Sequence, residues 1–84
     1  MRFAAAVEVR GVEGIADPEG RTIERALPAL GFRGVSDVHV GKLFRFAIEA
    51  DNEAAARSAV EGMCAHLLAN PVVERTEITL TPVQ

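Results

Sequence analysis

Gly41 and Lys42 are the residues whose types first suggest ligand chemistry, because a Gly-Lys pair before an apolar run resembles part of a phosphate-binding loop. That loop requires the pattern G-x-x-x-x-G-K-[S/T], in which the glycines allow close backbone approach and the hydroxyl binds magnesium. Here Ser36 occupies the position of the first glycine, and Leu43 stands where the hydroxyl is needed. The stretch HVGKLFRF therefore does not predict a nucleotide site.

The single cysteine and the two histidines also fail to predict a metal site or a nucleophile. Cys64 and His66 would lie about 200° apart on a helix, so they cannot chelate one metal together. Cys64 falls on an apolar helical stripe and is predicted to be a small core residue. His39 falls on the outward face of a predicted strand, which favours a surface or interface position over a catalytic base.

The acidic side chains are dispersed and form no acid–base pair. Glu74 and Glu77, for example, would lie on opposite faces of a strand, because strand side chains alternate. We therefore expect no catalytic residue, no metal site and no bound cofactor in this chain. The net charge of −3 and the pI near 5.3 argue against nucleic-acid binding, which normally requires a basic face.

Chain length limits how this protein can be stabilised. One domain over residues 1–84 would bury only about 60–65% of the surface of its unfolded chain. A single cysteine excludes an internal disulfide, so we expect oligomerisation to supply the missing burial. The N-terminal stretch MRFAAAVEVR has charges at both ends and predicts neither a signal peptide nor a membrane span. A free cysteine without a targeting segment is typical of cytoplasmic proteins.

The first half of the chain predicts a strand followed by a helix. Residues 2–10 alternate apolar and polar side chains, which is the period of a half-buried strand. The segment Asp17-Pro18-Glu19-Gly20 fits either a type I turn or a helix start with Asp17 as the cap. Apolar residues recur with helical spacing over residues 21–30, and Pro28 predicts a kink or a local loosening of the helix around Glu24 and Arg25. Gly31 is predicted to end this helix in a left-handed conformation.

Residues 35–50 are strand-like, and two interpretations compete. Gly41 and Lys42 could form a two-residue hairpin turn. Alternatively, one long strand bent at Gly41 would place the even-numbered apolar residues on one face, with Ser36 and Lys42 as its only polar members. The alternation of apolar residues keeps the same phase on both sides of Gly41, which favours the long strand. The apolar residues on this predicted face are Val38, Val40, Phe44, Phe46, Ile48 and Ala50.

A second helix and a final strand complete the pattern. Asp51-Asn52 predicts the helix cap, Asn70 suits a left-handed C-terminal position, and Pro71 ends the helix. Residues 72–82 predict the last strand. The order β-α-β(long)-α-β predicts an α+β fold, a two-layer ferredoxin-like sandwich with an antiparallel sheet and two helices on one face. The buried stripe of the second helix is predicted to contain Ala56, Val60, Met63, Cys64, Leu67 and Leu68.

Three stretches resemble the PurS subunit of phosphoribosylformylglycinamidine synthase, an enzyme of de novo purine biosynthesis. They are ADPEGRTIERAL, then LGF with VSDVHVGKLFRF, and MCAHLLANPVVE near the end. No single stretch is specific, but together they occur in the family's order and spacing across essentially the whole chain. Two departures from the family pattern are Pro28 within the first helix and Arg75-Thr76 where an aromatic residue often occurs.

The resemblance implies a small non-catalytic subunit of an ATP-dependent, glutamine-dependent ligase. In this family the subunit dimerises and joins a synthetase subunit to a glutaminase subunit, so that ammonia passes between them without loss. The resemblance further implies that ATP, magnesium and glutamine are used by the complex and not bound by this chain. A homodimer or higher homo-oligomer is expected, with neither nucleic acid nor membrane as a partner.

Eight residues are candidates for shaping dimer or partner surfaces, and Lys42 is the one that folding explains least, because it breaks an apolar face. Ordinary turn and cap chemistry could also explain several of them. An alternative function is a free-standing dimeric regulatory module that binds a small molecule such as an amino acid, with GVEGIADPEG approaching the ligand. The candidate residues are Asp17, Pro18, Gly20, His39, Gly41, Lys42, Asn70 and Pro71.

Overall fold

Three antiparallel strands and two α-helices make up the protein, and the computed structural model describes all 84 residues. β1 is the central strand, in the order β2-β1-β3. This architecture confirms the predicted α+β class and the antiparallel sheet. The elements are β1 (Arg2–Gly11), α1 (Pro18–Ala26), β2 (Lys42–Glu49), α2 (Glu53–Met63) and β3 (Glu74–Val83).

The core lies between the inner face of β1 and α2. Phe3, Ala5, Val7 and Val9 alternate along β1 and are all buried, as the period of two predicts. Half-buried side chains of the flanking strands pack beside them: Phe44, Phe46 and Ile48 on β2, and Ile78 and Leu80 on β3. From α2, the side chains that close this core are Ala56, Val60 and Cys64.

Asp17 caps helix α1, which begins at Pro18, and this resolves the choice between a turn and a helix start. The Asp17 side chain accepts a hydrogen bond from the Gly20 N–H, and Pro18 occupies the first turn. The predicted kink near Glu24 is wrong, because α-helical geometry continues to Ala26. A 3₁₀ turn at Pro28–Leu30 follows, since proline cannot donate the next helical hydrogen bond. Gly31 ends the turn with φ of 94°, as predicted.

The predicted long strand over residues 35–50 is also wrong in its first half, because β2 begins only at Lys42. Residues 36–41 form no strand pairing, and the hairpin alternative at Gly41 and Lys42 is not formed either. Asp37 has φ of 60°, which interrupts an extended chain. The Val38 N–H instead donates a hydrogen bond to the Glu24 carboxylate, and the Val40 N–H donates one to the Asp17 carboxylate. Side chains thus replace a neighbouring strand in this segment.

Helix α2 confirms its predicted cap, because the Asn52 Oδ1 accepts the Ala55 N–H at 2.8 Å. The buried stripe predicted for α2 includes two residues, Met63 and Leu67, that lie outside the core. Residues Cys64–Leu68 form a π-helical turn, closed by a hydrogen bond from the Ala69 N–H to the Cys64 carbonyl. This wider turn directs Leu68 towards the core and leaves Leu67 84% exposed. Met63 is 37% exposed and likewise lies outside the core.

Helix α1 adds no side chain to this core. Gly20 is its only buried residue, and Ile23, one of the apolar residues with helical spacing, is 41% exposed. The molecule is 51 Å long, whereas a ten-residue strand spans about 33 Å. α1 packs against the turn that follows it and makes no extensive contact with any strand. The sheet face is therefore covered by α2 alone within one chain.

Candidate functional site

All eight candidate residues lie at one end of the sheet. β1 ends there at Gly11, while β2 and β3 begin there, because Val9 pairs with Lys42 and Gly11 pairs with Glu74. Gly41 and Lys42 lie at the start of β2, Asn70 and Pro71 lie shortly before β3, and the other four candidates lie in the segment that connects β1 to β2. This common location was not evident in the sequence, where the candidates are spread over more than fifty positions.

Asp17 is the residue that joins two segments at this end. Its Oδ1 accepts the Gly20 N–H at 2.9 Å, and its Oδ2 accepts the Val40 N–H at 2.9 Å. These hydrogen bonds, first from Gly20 and then from Val40, hold the pKa of the Asp17 carboxyl below its ordinary value of 3.8, because they stabilise the ionised form. His39 contributes in the same direction, with its Nδ1 3.4 Å from Oδ2. One carboxylate thus caps α1 and fastens the segment that leads into β2.

Two further side chains of α1 hold the same segment at Val38. The Glu24 Oε1 accepts the Val38 N–H at 2.9 Å, and the Arg21 guanidinium donates to the Val38 carbonyl. Arg21 and Glu24 are themselves paired at 3.3 Å, one helical turn apart. Together with Asp17 they form what we term the latch, in which Asp17, Arg21 and Glu24 bond the backbone of residues 38–40.

His39 lies between two carboxylates on the outer side of the latch. Its Nε2 is 3.0 Å from Asp37 Oδ1, and its Nδ1 faces Asp17. The ring is 61% exposed, as expected for a residue on the outward side of its segment. The left-handed backbone of Asp37 is tolerated because aspartate adopts that conformation more readily than most residues.

Gly20 and Gly41 are required by close approach of the backbone. A Cβ on Gly20 would collide with the Val38 carbonyl oxygen and would lie 2.7 Å from Asp17 Oδ2. A Cβ on Gly41 would lie 2.7 Å from the Val9 carbonyl oxygen. Both glycines therefore allow the segment before β2 to pass close to α1 and to the end of β1.

An open cleft of about 1120 Å³ lies between the latch and the strand ends. Lys42 lines this cleft at the start of β2. A lysine in the core-facing register stays exposed there because α2 packs against β3 and does not cover the β2 side of the sheet. The charged side chains around the cleft are of both signs, and no group of three or more metal-ligating side chains is found. The cleft presents a mixed polar surface of the kind that suits contact with a protein. Its charged lining residues are Glu8, Arg10, Glu13, Asp17, Arg21, Asp37, His39, Lys42 and Glu74.

Asn70 and Pro71 form a separate turn beside this cleft. The predicted left-handed conformation of Asn70 is wrong, because Asp37 is the only non-glycine residue with positive φ. Instead the Asn70 Oδ1 accepts the Val72 N–H at 3.0 Å, and its N–H donates to Glu74 Oε1 at 2.7 Å. The turn is fixed to the end of β1 by a hydrogen bond from the Val12 N–H to the Val73 carbonyl at 2.9 Å.

Sequence reasoning missed Arg21, Glu24 and Asp37. Arg21 and Glu24 are spaced three apart on the polar face of a helix, which looks like ordinary surface charge. Both side chains bond the backbone of Val38, which lies 17 residues after Arg21 and 14 residues after Glu24. Only Asp37 carried a local signal, since Ser36-Asp37 is a turn-prone pair inside an otherwise extended pattern.

Comparison with known proteins places this fold in a defined group. A sequence model of the PurS family, described as phosphoribosylformylglycinamidine (FGAM) synthase, matches residues 4–82. The PurS subunit of Methanocaldococcus jannaschii is 40% identical over 82 residues, which cover 98% of this chain and 99% of that protein. The PurS subunit of Archaeoglobus fulgidus is 46% identical over 66 residues, covering 79% and 82%. These matches confirm the resemblance inferred from the three sequence stretches.

Solved structures agree with the sequence matches. The crystal structure of M. jannaschii PurS has a TM-score of 0.87 at 40% identity, covering 98% of this chain and 99% of that one. A chain of PurLQS from Thermotoga maritima has a TM-score of 0.89 at 34% identity, covering 96% and 99%. The described relatives all carry the PurS designation, and none supports the small-molecule regulatory alternative.

Replacing Asp17 with asparagine should change how stability depends on pH. The folded-state pKa of Asp17 is lowered, so its ionised form stabilises the fold above about pH 4, and this contribution disappears as the pH falls through the lowered value. The thermal midpoint of Asp17→Asn should therefore lie below that of the unmodified protein at neutral pH and approach it in acid. Asp37→Asn is the control. A gap between Asp17→Asn and the unmodified protein that stays constant down to about pH 2 would contradict this role.

Replacing Gly20 with alanine should destabilise the protein, because the new methyl group has no room beside the Val38 carbonyl. We expect a loss of about 1–3 kcal/mol in the free energy of unfolding. Gly62→Ala on α2 is the matched control, since nothing lies within 4 Å of its added methyl group. That change should raise the free energy by about 0.4–1 kcal/mol. Urea denaturation measures the change in the free energy of unfolding for both variants, which should have opposite signs. Equal changes would refute the close approach of Gly20 to the Val38 carbonyl.

Proposed function

The chain belongs to the PurS family of phosphoribosylformylglycinamidine synthase subunits, and from this premise we propose that it joins the synthetase and glutaminase subunits of that enzyme. It acts in purine biosynthesis as a small non-catalytic subunit. The observation that carries the proposal is the likeness, over nearly the whole chain, to a chain of PurLQS from T. maritima. The mixed polar cleft and the exposed apolar side chains support an assembling role.

The proposal assigns chemistry to the larger subunits and assembly to this one. The synthetase subunit would use ATP and magnesium, and the glutaminase subunit would release ammonia from glutamine. This chain would hold the two in a fixed relation, so that ammonia reaches the synthetase before it is lost to water. We place the complex in the cytoplasm, in keeping with a free buried cysteine. None of the helices has the length and apolar character needed to cross a membrane.

We further propose that the working form of this subunit is a homodimer. The chain exposes 6190 Å² of surface at a mass of 9.0 kDa, whereas a compact monomer of that mass exposes about 4,900 Å². The excess of about 1,300 Å² exceeds the ~800 Å² that each partner buries in a standard interface. The radius of gyration is 16.5 Å, against about 12 Å for a compact domain of this length.

The unpaired apolar surfaces indicate where a second copy would pack. One surface belongs to α1 and the turn after it, where Ile23, Leu30 and Phe32 are 41%, 71% and 59% exposed. The other is the β2 side of the inner sheet face, because α2 contacts β3 and leaves the β2 side chains half-buried. A two-layer fold needs a helix over that side, and the α1 of a second copy would supply it.

Leu30→Ser should therefore weaken the homodimer while leaving the folded chain intact. Sedimentation equilibrium of the unmodified protein should give about twice 9.0 kDa, and Leu30→Ser should raise the dissociation constant at least about tenfold. Leu43→Ser is the matched control, because Leu43 is 59% exposed on the outer face of β2. A monomeric unmodified protein, or an equal effect of both variants, would contradict the proposed interface.

The assembling role is tested by mixing the purified chain with the synthetase and glutaminase subunits in the presence of glutamine and Mg-ADP. Size exclusion should give one species larger than any component. Lys42→Ala, which removes an exposed charge at the cleft, should weaken this species without changing thermal stability. Three components that never co-elute would refute the assembling role.

A further inference from the structure

The outer edge of β2 carries backbone groups that no other strand of the chain uses. β2 pairs with β1 on one side and with no strand on the other. Met1 and Ala50 exchange two hydrogen bonds, at 2.8 and 2.9 Å, at the end of this ladder. Because hydrogen-bonded pairs alternate along an antiparallel ladder, the even-numbered residues of β2 are the ones that bond β1. The backbone groups of its odd-numbered residues therefore point outward, to an edge that can accept another strand.

The segment before β2 has a free edge of its own. The N–H and carbonyl of Val38 and the N–H of Val40 are all bonded by the latch. Neither the backbone N–H nor the carbonyl of His39 takes part in a hydrogen bond of the chain. Adjacent residues of an extended chain direct their backbone groups to opposite sides. The latch thus occupies one edge of residues 38–40, and the backbone groups of His39 form the other.

These two free edges do not meet within one molecule. The chain runs from residue 40 into β2 without folding back, since no hairpin is formed at Gly41. A hairpin with Gly41 and Lys42 as its two turn residues would also pair His39 with Phe44, whose backbone groups already bond β1. The strand that fits the β2 edge is therefore one from a second copy of the chain.

We propose that residues 38–40 of one copy pair antiparallel with β2 of a second copy, and reciprocally, about a two-fold axis at Gly41. This inference rests on the homodimer proposed above and names the backbone contact that forms it. His39 then lies opposite Leu43 of the second copy. Both residues direct free backbone groups to the contact, so they exchange two hydrogen bonds.

The same register explains why the apolar alternation of the sequence continues before Gly41. Facing residues of an antiparallel ladder share one face of the sheet. Val38 lies opposite Phe44 of the second copy, and Phe44 packs on the inner face. Val38 and Val40 therefore extend the inner face of the second copy's sheet, although they belong to no strand of their own chain.

The charged side chains agree with this register, because Asp37 falls opposite Arg45 of the second copy. Oδ1 of Asp37 is 3.0 Å from His39, whereas its Oδ2 has no partner, and Arg45 forms no ion pair within its own chain. Moving the axis by one residue, to Lys42, would set the lysines of the two copies against each other. Opposite charges across a strand pair are stabilising and like charges destabilising, which favours the axis at Gly41.

The latch makes this contact end at two copies. Asp17, Arg21 and Glu24 occupy the far edge of residues 38–40, so the added segment ends the sheet and exposes no new edge. The same bonds hold α1 beside the segment. The added segment therefore brings α1 to the β2 side of the second copy, which α2 leaves uncovered.

The backbone N–H of His39 is the group to remove in a test. His39→Pro deletes this donor and keeps the preceding residue extended, whereas the control His39→Ala deletes the imidazole and retains the donor. Because the contact occurs twice, the homodimer of His39→Pro lacks two hydrogen bonds and leaves two carbonyls unpaired. We expect its dissociation constant in sedimentation equilibrium to rise at least about tenfold, and that of His39→Ala to change less than about threefold.

A disulfide between copies tests the register. Val38 and Phe44 of the second copy would form a pair without mutual hydrogen bonds, and the Cα separation of about 4.5 Å in such pairs suits a disulfide. Val38→Cys/Phe44→Cys should give a covalent dimer on a non-reducing gel after mild oxidation. Val38→Cys/Ile48→Cys is the matched control and should give none, because Ile48 lies about 13 Å further along β2. The unmodified protein, whose single Cys64 is buried, should also give none.

The outcomes separate this contact from the homodimer itself. A monomeric unmodified protein would refute the homodimer, and the strand pairing with it. If the homodimer forms, either equal dissociation constants of the two His39 variants or the absence of a covalent Val38→Cys/Phe44→Cys dimer would overturn the pairing alone. Equal cross-linking of both cysteine variants would refute the register. If His39→Pro does not fold, the cysteine variants decide.

Discussion

The carboxylate of Asp17 is the interaction on which the rest of this end of the molecule depends. Its two oxygens accept from Gly20 on α1 and from Val40 before β2, so one side chain joins two segments that share no strand pairing. Arg21 and Glu24 extend the connection to Val38. Because these bonds replace a sheet ladder, the segment before β2 is ordered without lying beside another strand, and α1 can stand clear of the core of its own chain.

This arrangement has a consequence for stability. A sheet of three strands with one helix over it buries only eight of 84 residues, and much of the apolar surface of α1 is left exposed. Small domains of this kind need an additional source of burial. Neither a disulfide nor a group of metal-ligating residues is present to supply it. In the proposed homodimer, stability and assembly would be coupled, because the second copy would cover the apolar surface that one chain leaves exposed.

Features that depend on local sequence could be predicted, and those that depend on distant partners could not. The alternation of β1, the caps at Asp17 and Asn52 and the left-handed Gly31 follow from a few neighbouring residues. The alternation of apolar residues over residues 35–50 was equally regular. The first half of this segment nevertheless pairs with no strand, because Asp17 and side chains of α1 bond its backbone groups. The candidate residues were identified from turn chemistry and family resemblance. That they share one end of the sheet follows from strand register, which the sequence pattern alone did not define.

The location of those residues also follows from the topology. In an antiparallel sheet with the order β2-β1-β3, the loop leaving β1 and the loops entering β2 and β3 must meet at the same end. Turn-forming residues concentrate in such loops for conformational reasons alone. The same end therefore combines rigid turns, charged side chains and exposed apolar side chains, while the opposite end has shorter connections. Under the proposed assembling role, this grouping would be useful, because the latch and the Asn70 turn could present separate surfaces without disturbing the shared sheet.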